Sequence, residues 1–381
     1  MPYASALSEH PLATHATGEV VGQVLEALGE QPDFAVLFTT AGFAGALEDI
    51  AATVRATLRP HALIGATAVS VLAGAREVEE QPAITLFAGR LPLGTSLPAA
   101  STIDAVRGVD GWQISGTADL AVPGATVILL ADPFTFPVDA FVTGLADSAP
   151  GLRAVGGLAS AGDAAGQNRL VADDVVTSHG AVALLLPPGL DTTLVVSQGC
   201  RPIGEPRVVT RAEGNVVYEI AGEPALEHLM GVAASLSAED RALLADGAHF
   251  GIVVDEAKVE LDRGDFLIRN VLGADRDNGA VAVGAEVEIG STVQFQVRDA
   301  TTADEDVRRL LAGTAGAGAL VFTCNGRGER FFGVPDHDAE VVSDHVESGA
   351  VAGMFCAGEI GPVGDRPFVH GLTASVLLFD R

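Results

Sequence analysis

Apolar positions along the chain fall into short continuous runs separated by stretches of helical period. Phe34–Thr40 is an uninterrupted apolar run of strand length. A Gly-Phe-Ala-Gly turn at residues 42–45 follows, then Leu47, Ile50, Val54 and Leu58 at helical spacing, then a second apolar run at 62–67. The same succession recurs twice. Residues 126–131 form a strand, 138–147 a helix and 152–156 a strand ending in Gly156-Gly157. Late in the chain, 319–324 is a strand, 338–347 a helix and 350–356 a strand. Near-continuous apolar strands joined through helices predict parallel pairs covered on their faces.

Other segments read as antiparallel additions. Residues 181–186 and 194–198 flank Pro187-Pro188-Gly189. Residues 208–210 and 216–220 flank Glu213-Gly214-Asn215, a hairpin turn. Residues 253–259 alternate and predict a half-exposed strand carrying Lys258. Val20, Val21, Val24, Leu25 and Leu28 give a helix ended by Gly29, preceded by residues 1–17 as a polar arm. Thr302-Ala-Asp-Glu305 reads as a capping box ahead of Val307, Leu310 and Leu311. The expected class is therefore α/β: mixed sheets with parallel strand–helix–strand units, antiparallel additions and two domains. The domains are placed at 18–190 and 200–381.

Composition narrows the function. The chain has 381 residues, 48% of them hydrophobic and 19% charged, which is globular and long enough for two domains. Its formal net charge of -28 argues against nucleic-acid phosphates and anionic membranes as partners. With Lys258 the sole lysine there is no Gly-Lys-Ser/Thr, so a P-loop is excluded. Three cysteines make no disulfide framework, and residues 1–17 lack a secretory n-region and apolar core. A cytoplasmic location is expected.

The cysteines carry the chemistry. Each closes an apolar strand and opens a turn: Gly199-Cys200-Arg201-Pro-Ile-Gly204, Cys324-Asn325-Gly-Arg327-Gly328, and Cys356-Ala-Gly358-Glu359-Ile-Gly-Pro362. If the strands ending at Cys324 and Cys356 are parallel, both thiols lie at the carboxyl edge of one sheet, where open α/β sheets take ligands. The glycines free backbone N–H groups for an anion nest, and Arg201 and Arg327 suit a carboxylate. Against this stands the base tendency of free cysteine to be simple packing. A cysteine nucleophile would need a lowered pKa, from Arg201 or Arg327, and a base, for which His345 and His370 are candidates. No C-x-x-C, H-x-H or HExxH implies a metal, and no cofactor motif is present. Asp336 or Asp338 reads as a helix cap.

The Cys324–Gly328 and Phe355–Pro362 loops, with His370-Gly-Leu-Thr-Ala-Ser375, resemble the C-terminal FIST domain. The Ile64–Thr67 and Val155–Ser160 segments resemble the N-terminal FIST domain. The resemblance implies a sensory, signal-transducing protein that binds a small ligand, such as an amino acid, and acts through a separate signalling partner. Carried over by motif, the pocket residues are Cys200, Arg201, Cys324, Asn325, Arg327, Cys356, Gly358 and Glu359, with no residue assigned to catalysis. The expected function is small-ligand binding at strand ends near the domain interface. A cysteine-dependent enzyme of acyl or thiol chemistry is the first alternative, and an assembly or scaffold protein the second.

Overall fold

The computed structural model describes residues 2–109 and 111–380. The chain divides into two compact units that are not contiguous in sequence. The first holds residues 1–196, 308–369 and 373–381; the second holds 197–307 and 370–372.

The first unit contains three mixed sheets, and each of the three expected strand–helix–strand repeats seeds one of them with its parallel pair. Phe34–Thr40 and Ala62–Ala68, joined through the helix Leu47–Leu58, pair in parallel. Thr126–Ala131 and Arg153–Leu158 do so around the helix Val138–Ser148. Gly318–Cys324 and Val351–Cys356 form the third pair. Antiparallel strands extend every sheet, so the mixed α/β class holds.

Packing follows from which strands are apolar on both faces. Phe34–Thr40 and Ala62–Ala68 are buried throughout. One face of their sheet meets the helices Ala13–Leu28 and Leu47–Leu58 through Val20, Val24, Ile50 and Val54. The other face joins a core shared with the remaining two sheets, in which Tyr3, Phe34, Phe87 and Phe379 form a ring cluster with centroids 4.7–6.4 Å apart. Residues 1–17, read as a polar arm, instead supply the strand Tyr3–Ser8, paired along Ile84–Gly89, and the start of the helix Ala13–Leu28. Tyr3, Ala4 and Ala6 are buried, and that alternate apolar burial is what holds this segment down.

Two further expectations are corrected. Ala181–Leu186 and Thr192–Gln198 do not form a hairpin. The first lies between Thr126–Ala131 and Ala99–Gly108, and the second in the sheet of Gly318–Cys324. Lys258 is not on a strand: the strand ends at Val253, and the Asp255 carboxylate accepts from the Ala257 N–H in a local turn that competes with the ladder. The Lys258 Nζ pairs with Asp265 at 2.5 Å.

The second unit is built on antiparallel strands, including the expected hairpin of Arg207–Glu213 with Val216–Ile220. Its core gathers Phe250, Phe295, Val281 and Val293 beneath the helices Ala225–Ser235 and Ala238–Asp246. The helix Ala300–Leu311 begins before the expected capping box. Asp299 takes the capping role, accepting from the backbone N–H of Thr301 and Thr302 at 3.0 and 3.3 Å.

Candidate functional site

Cys324 and Cys356 are register partners at the carboxyl ends of adjacent parallel strands. Registered residues on neighbouring strands point to the same face, so both side chains leave the sheet on one side. The two turns are tied together: the Asn325 N–H donates to the Cys356 carbonyl at 2.9 Å. The Gly156-Gly157 strand closes in alongside, with Gly157 paired to Glu359 and the Leu158 N–H donating to the Gly358 carbonyl at 2.8 Å. Gly157 is glycine for a reason of space, because a Cβ there would overlap the Cys356 Sγ. Ser160 completes this edge, donating to the Phe355 carbonyl at 2.6 Å and accepting from the Val69 N–H at 3.0 Å.

Beneath the Cys324 turn lies a charged side chain without solvent. Arg327 is 0% exposed and Asp338 1%. The guanidinium meets the carboxylate through Nε–Oδ2 at 2.8 Å and Nη2–Oδ1 at 2.9 Å. The Thr323 hydroxyl donates to Asp338 at 2.6 Å, and His337 Nδ1 lies 3.1 Å from its other oxygen. Phe332 stands between the two basic groups, its ring stacked on His337 at 3.4 Å and 5.2 Å from the Arg327 Cζ. Burial alone would raise Asp338, but the Arg327 charge and these hydrogen bonds hold it well below the usual carboxylate range. Asp338 is thus the counter-ion of Arg327 and not a helix cap. The third guanidinium nitrogen, Nη1, has no hydrogen-bond partner among the described residues.

Glu359 is also fully buried. Its Oε2 accepts from the Thr373 N–H at 3.0 Å and the Thr373 hydroxyl at 2.8 Å. Burial pushes its carboxyl up to about 8, against Thr373, the Arg327 charge and a Cys324 thiol close enough to hydrogen-bond to it. Burial, then the Glu359 and Cys324 charges, raise the Cys356 thiol well above its ordinary value. Cys324 is half-buried and accepts from the Gly326 N–H at 3.4 Å.

The structure therefore gathers Cys324, Arg327, Cys356, Gly358 and Glu359, with Asn325 exposed at the rim. Cys200 and Arg201 belong to the second unit. Cys200 packs among Val253, Phe266 and Ile268, and Arg201 is held by Asp240 and by Asp299, the latter at 2.6 Å. His345 Nδ1 lies 3.3 Å from the Thr314 carbonyl; the ionisable side chain beside Cys324 is Glu359. The turn that was read as an anion nest is met by an internal carboxylate, since Glu79 accepts from the Glu329 N–H at 2.7 Å.

One residue near the site carried no sequence signal. Glu77, more than 250 positions from the helix His337–Ser343, accepts from the Ala339 N–H at 2.9 Å, and burial, then Asp338, pushes it up to about 8. Asp336 accepts from the Glu77 N–H at 2.7 Å. Among the described residues there is no cluster of metal-ligating side chains, and no helix is long and apolar enough to cross a membrane.

Comparison with known proteins assigns both halves of the sequence to one family. Residues 33–223 match the FIST N domain and residues 225–362 the FIST C domain. An uncharacterized protein of Mycobacterium tuberculosis strain H37Rv is 41% identical over 381 residues, covering 98% of each chain. An uncharacterized protein of Mycobacterium bovis is 40% identical over 377 residues, covering 97% of this chain and 96% of its own. The chain belongs to the FIST family, whose domains serve in sensing and signal transduction.

Proposed function

We propose that this protein is a cytoplasmic sensory module that binds a small carboxylate-bearing ligand, such as an amino acid, at the carboxyl ends of the Cys324 and Cys356 strands. The observation that carries this reading is Arg327 Nη1, a charged donor in a fully buried side chain with no hydrogen-bond partner among the described residues. Leaving such a donor unsatisfied costs about 1–3 kcal/mol or more, which a ligand carboxylate would recover. Asp338 takes the other two nitrogens, so the guanidinium is held rigid and offers one edge to the ligand. Glu359, raised to about 8, is largely protonated at neutral pH and does not repel an incoming carboxylate. The turn residues that reach solvent are Cys324, Asn325, Gly326 and Ala357, and a ligand would enter over them. Gly358 ties the second turn to the Gly156-Gly157 strand by accepting from the Leu158 N–H. Cys200 and Arg201 are left out of the proposed site because Arg201 is already held by two carboxylates. A separate signalling protein is the partner this reading proposes for the output.

The test is a thermal-shift screen of reduced protein against amino acids and small carboxylates, repeated with Arg327→Lys. That variant keeps a charge for Asp338 and removes Nη1. A selective stabilisation that disappears in Arg327→Lys supports the reading. The absence of any shift at millimolar ligand, in a sample shown to be folded, rejects it.

A further inference from the structure

Two thiols side by side at an edge, one reachable and one sealed, are the components of thiol–disulfide exchange. Cys324 and Cys356 are registered across a parallel pair, which places their Cα atoms about 4.8 Å apart. Disulfides span Cα separations of about 4.4–6.8 Å. Their surroundings differ in the way an attacking and a resolving thiol would require. Cys324 is half-buried, its sulfur accepts the Gly326 N–H, and the Glu359 carboxylate lies within hydrogen-bond reach. Cys356 has no solvent exposure, donates to the Met354 carbonyl at 3.5 Å and is pressed against Gly157.

We propose that Cys324 and Cys356 form a dithiol site that exchanges with low-molecular-weight disulfides, with Cys324 attacking and Cys356 resolving. In the first step, at pH 8 and above where Glu359 is ionised, the Cys324 thiol gives its proton to the Glu359 carboxylate. The thiolate attacks one sulfur of R–S–S–R. The S–S bond breaks, a mixed disulfide forms at Cys324, and RS⁻ leaves with the proton from Glu359 as RSH. In the second step the Cys356 thiol gives its proton to Glu359 and attacks the Cys324 sulfur. The second RS⁻ departs and takes that proton. Two protein thiols are oxidised and one small disulfide is reduced to two thiols, with no other electron acceptor needed.

Three independent features support this. Thiol exchange requires the thiolate, and the Cys324 sulfur has beside it the Gly326 N–H, the Arg327 charge and a carboxyl able to take its proton. A carboxyl near 8 is matched to the pH at which thiols ionise, so it both takes and returns the proton. Register across adjacent parallel strands brings both side chains to one face of the sheet, as the second exchange requires. Because each step is an exchange between a thiolate and a disulfide, the site is a reversible couple. It uses residues of the ligand site but requires no carboxylate ligand.

The experiment treats the full-length reduced protein with oxidised glutathione at pH 8, followed by intact mass, thiol counting after denaturation, and peptide mapping. The expected result is loss of two thiols per chain, a Cys324–Cys356 linkage and a retained Cys200 thiol. Cys356→Ala is expected to stop at the mixed disulfide on Cys324, and Glu359→Gln to slow thiol loss by about tenfold or more at pH 8. Cys200→Ser leaves rate and product unchanged. Retention of all three thiols in folded protein overturns the proposal, as does a stable adduct at Cys324 in the wild type with no linkage. Because ligand binding is read on reduced protein by thermal shift, either reading can fail while the other stands.

Discussion

Arg327 and Asp338 share two parallel hydrogen bonds, 2.8 and 2.9 Å long, with neither side chain reaching solvent. Such a pair contributes little net stability when intact, but removing one member strands the other in a low dielectric. Asp338→Ala is expected to lower stability by about 3–5 kcal/mol in urea unfolding. Thr323→Val, which removes one donor to the same carboxylate, is expected to cost about 1 kcal/mol. Equal effects of the two variants would mean that the pair is not the anchor of this turn.

The buried carboxyls set a pH dependence. Glu77 and Glu359 are each raised to about 8 from an ordinary value of 4.5. Between those values the folded chain keeps protons that the unfolded chain has lost, so their contribution is complete below 4.5 and disappears as pH rises through 8. Asp338 acts in the opposite sense: its lowered pKa gives stability above its ordinary value of 3.8 that is lost as pH falls below it. Melting temperature is expected to decline from pH 5 to pH 9. The double variant Glu77→Gln/Glu359→Gln is expected to flatten that decline, and an unchanged slope would refute the assignment.

Gly157→Ala tests the close approach of the third strand to Cys356. Its added methyl overlaps the Cys356 sulfur, and overpacking of this kind costs about 1–3 kcal/mol. Adding Cys356→Ala is expected to recover part of that loss, measured as non-additivity in a double-mutant cycle. Strict additivity would show that the sulfur is not what Gly157 makes room for.

In the second unit, Asp299 serves two partners at once: the first turn of the helix Ala300–Leu311 and the Arg201 guanidinium. Asp299→Ala is expected to cost about 2 kcal/mol by chemical denaturation, more than a simple cap deletion. Arg201→Ala should cost less, because it leaves the cap in place.

Strands were legible where both faces are buried. Phe34–Thr40, Thr126–Ala131 and Ala181–Leu186 have the bounds that their apolar runs indicate. The placement of Cys324 beside Cys356 followed from reading a parallel unit. What sequence could not supply was pairing at a distance. Pro187-Pro188-Gly189 has the composition of a hairpin turn, yet its flanks go to different sheets, because composition fixes the bend and not the partner. Asp338 has the composition of a helix cap, yet a buried guanidinium eleven residues earlier takes both its oxygens. Glu77 reaches the site from an edge strand whose three residues carry no motif. His345 has the residue type of a base yet lies at the Thr314 carbonyl, and the carboxyl beside Cys324 is Glu359, made protonatable by burial.

Val71–Ala73 hydrogen-bonds along Val351–Cys356, and the final strand, Thr373–Phe379, is inserted between Thr192–Gln198 and Gly318–Cys324. During synthesis this sheet cannot close until Thr373–Phe379 has left the ribosome. The apolar strands of the N-terminal half must wait in a partly assembled, aggregation-prone state. For the same reason a fragment ending near residue 224, or one beginning there, lacks sheet neighbours that the other contains. The boundary between the two family domains is thus a feature of the sequence order and not a place where the protein can be cut.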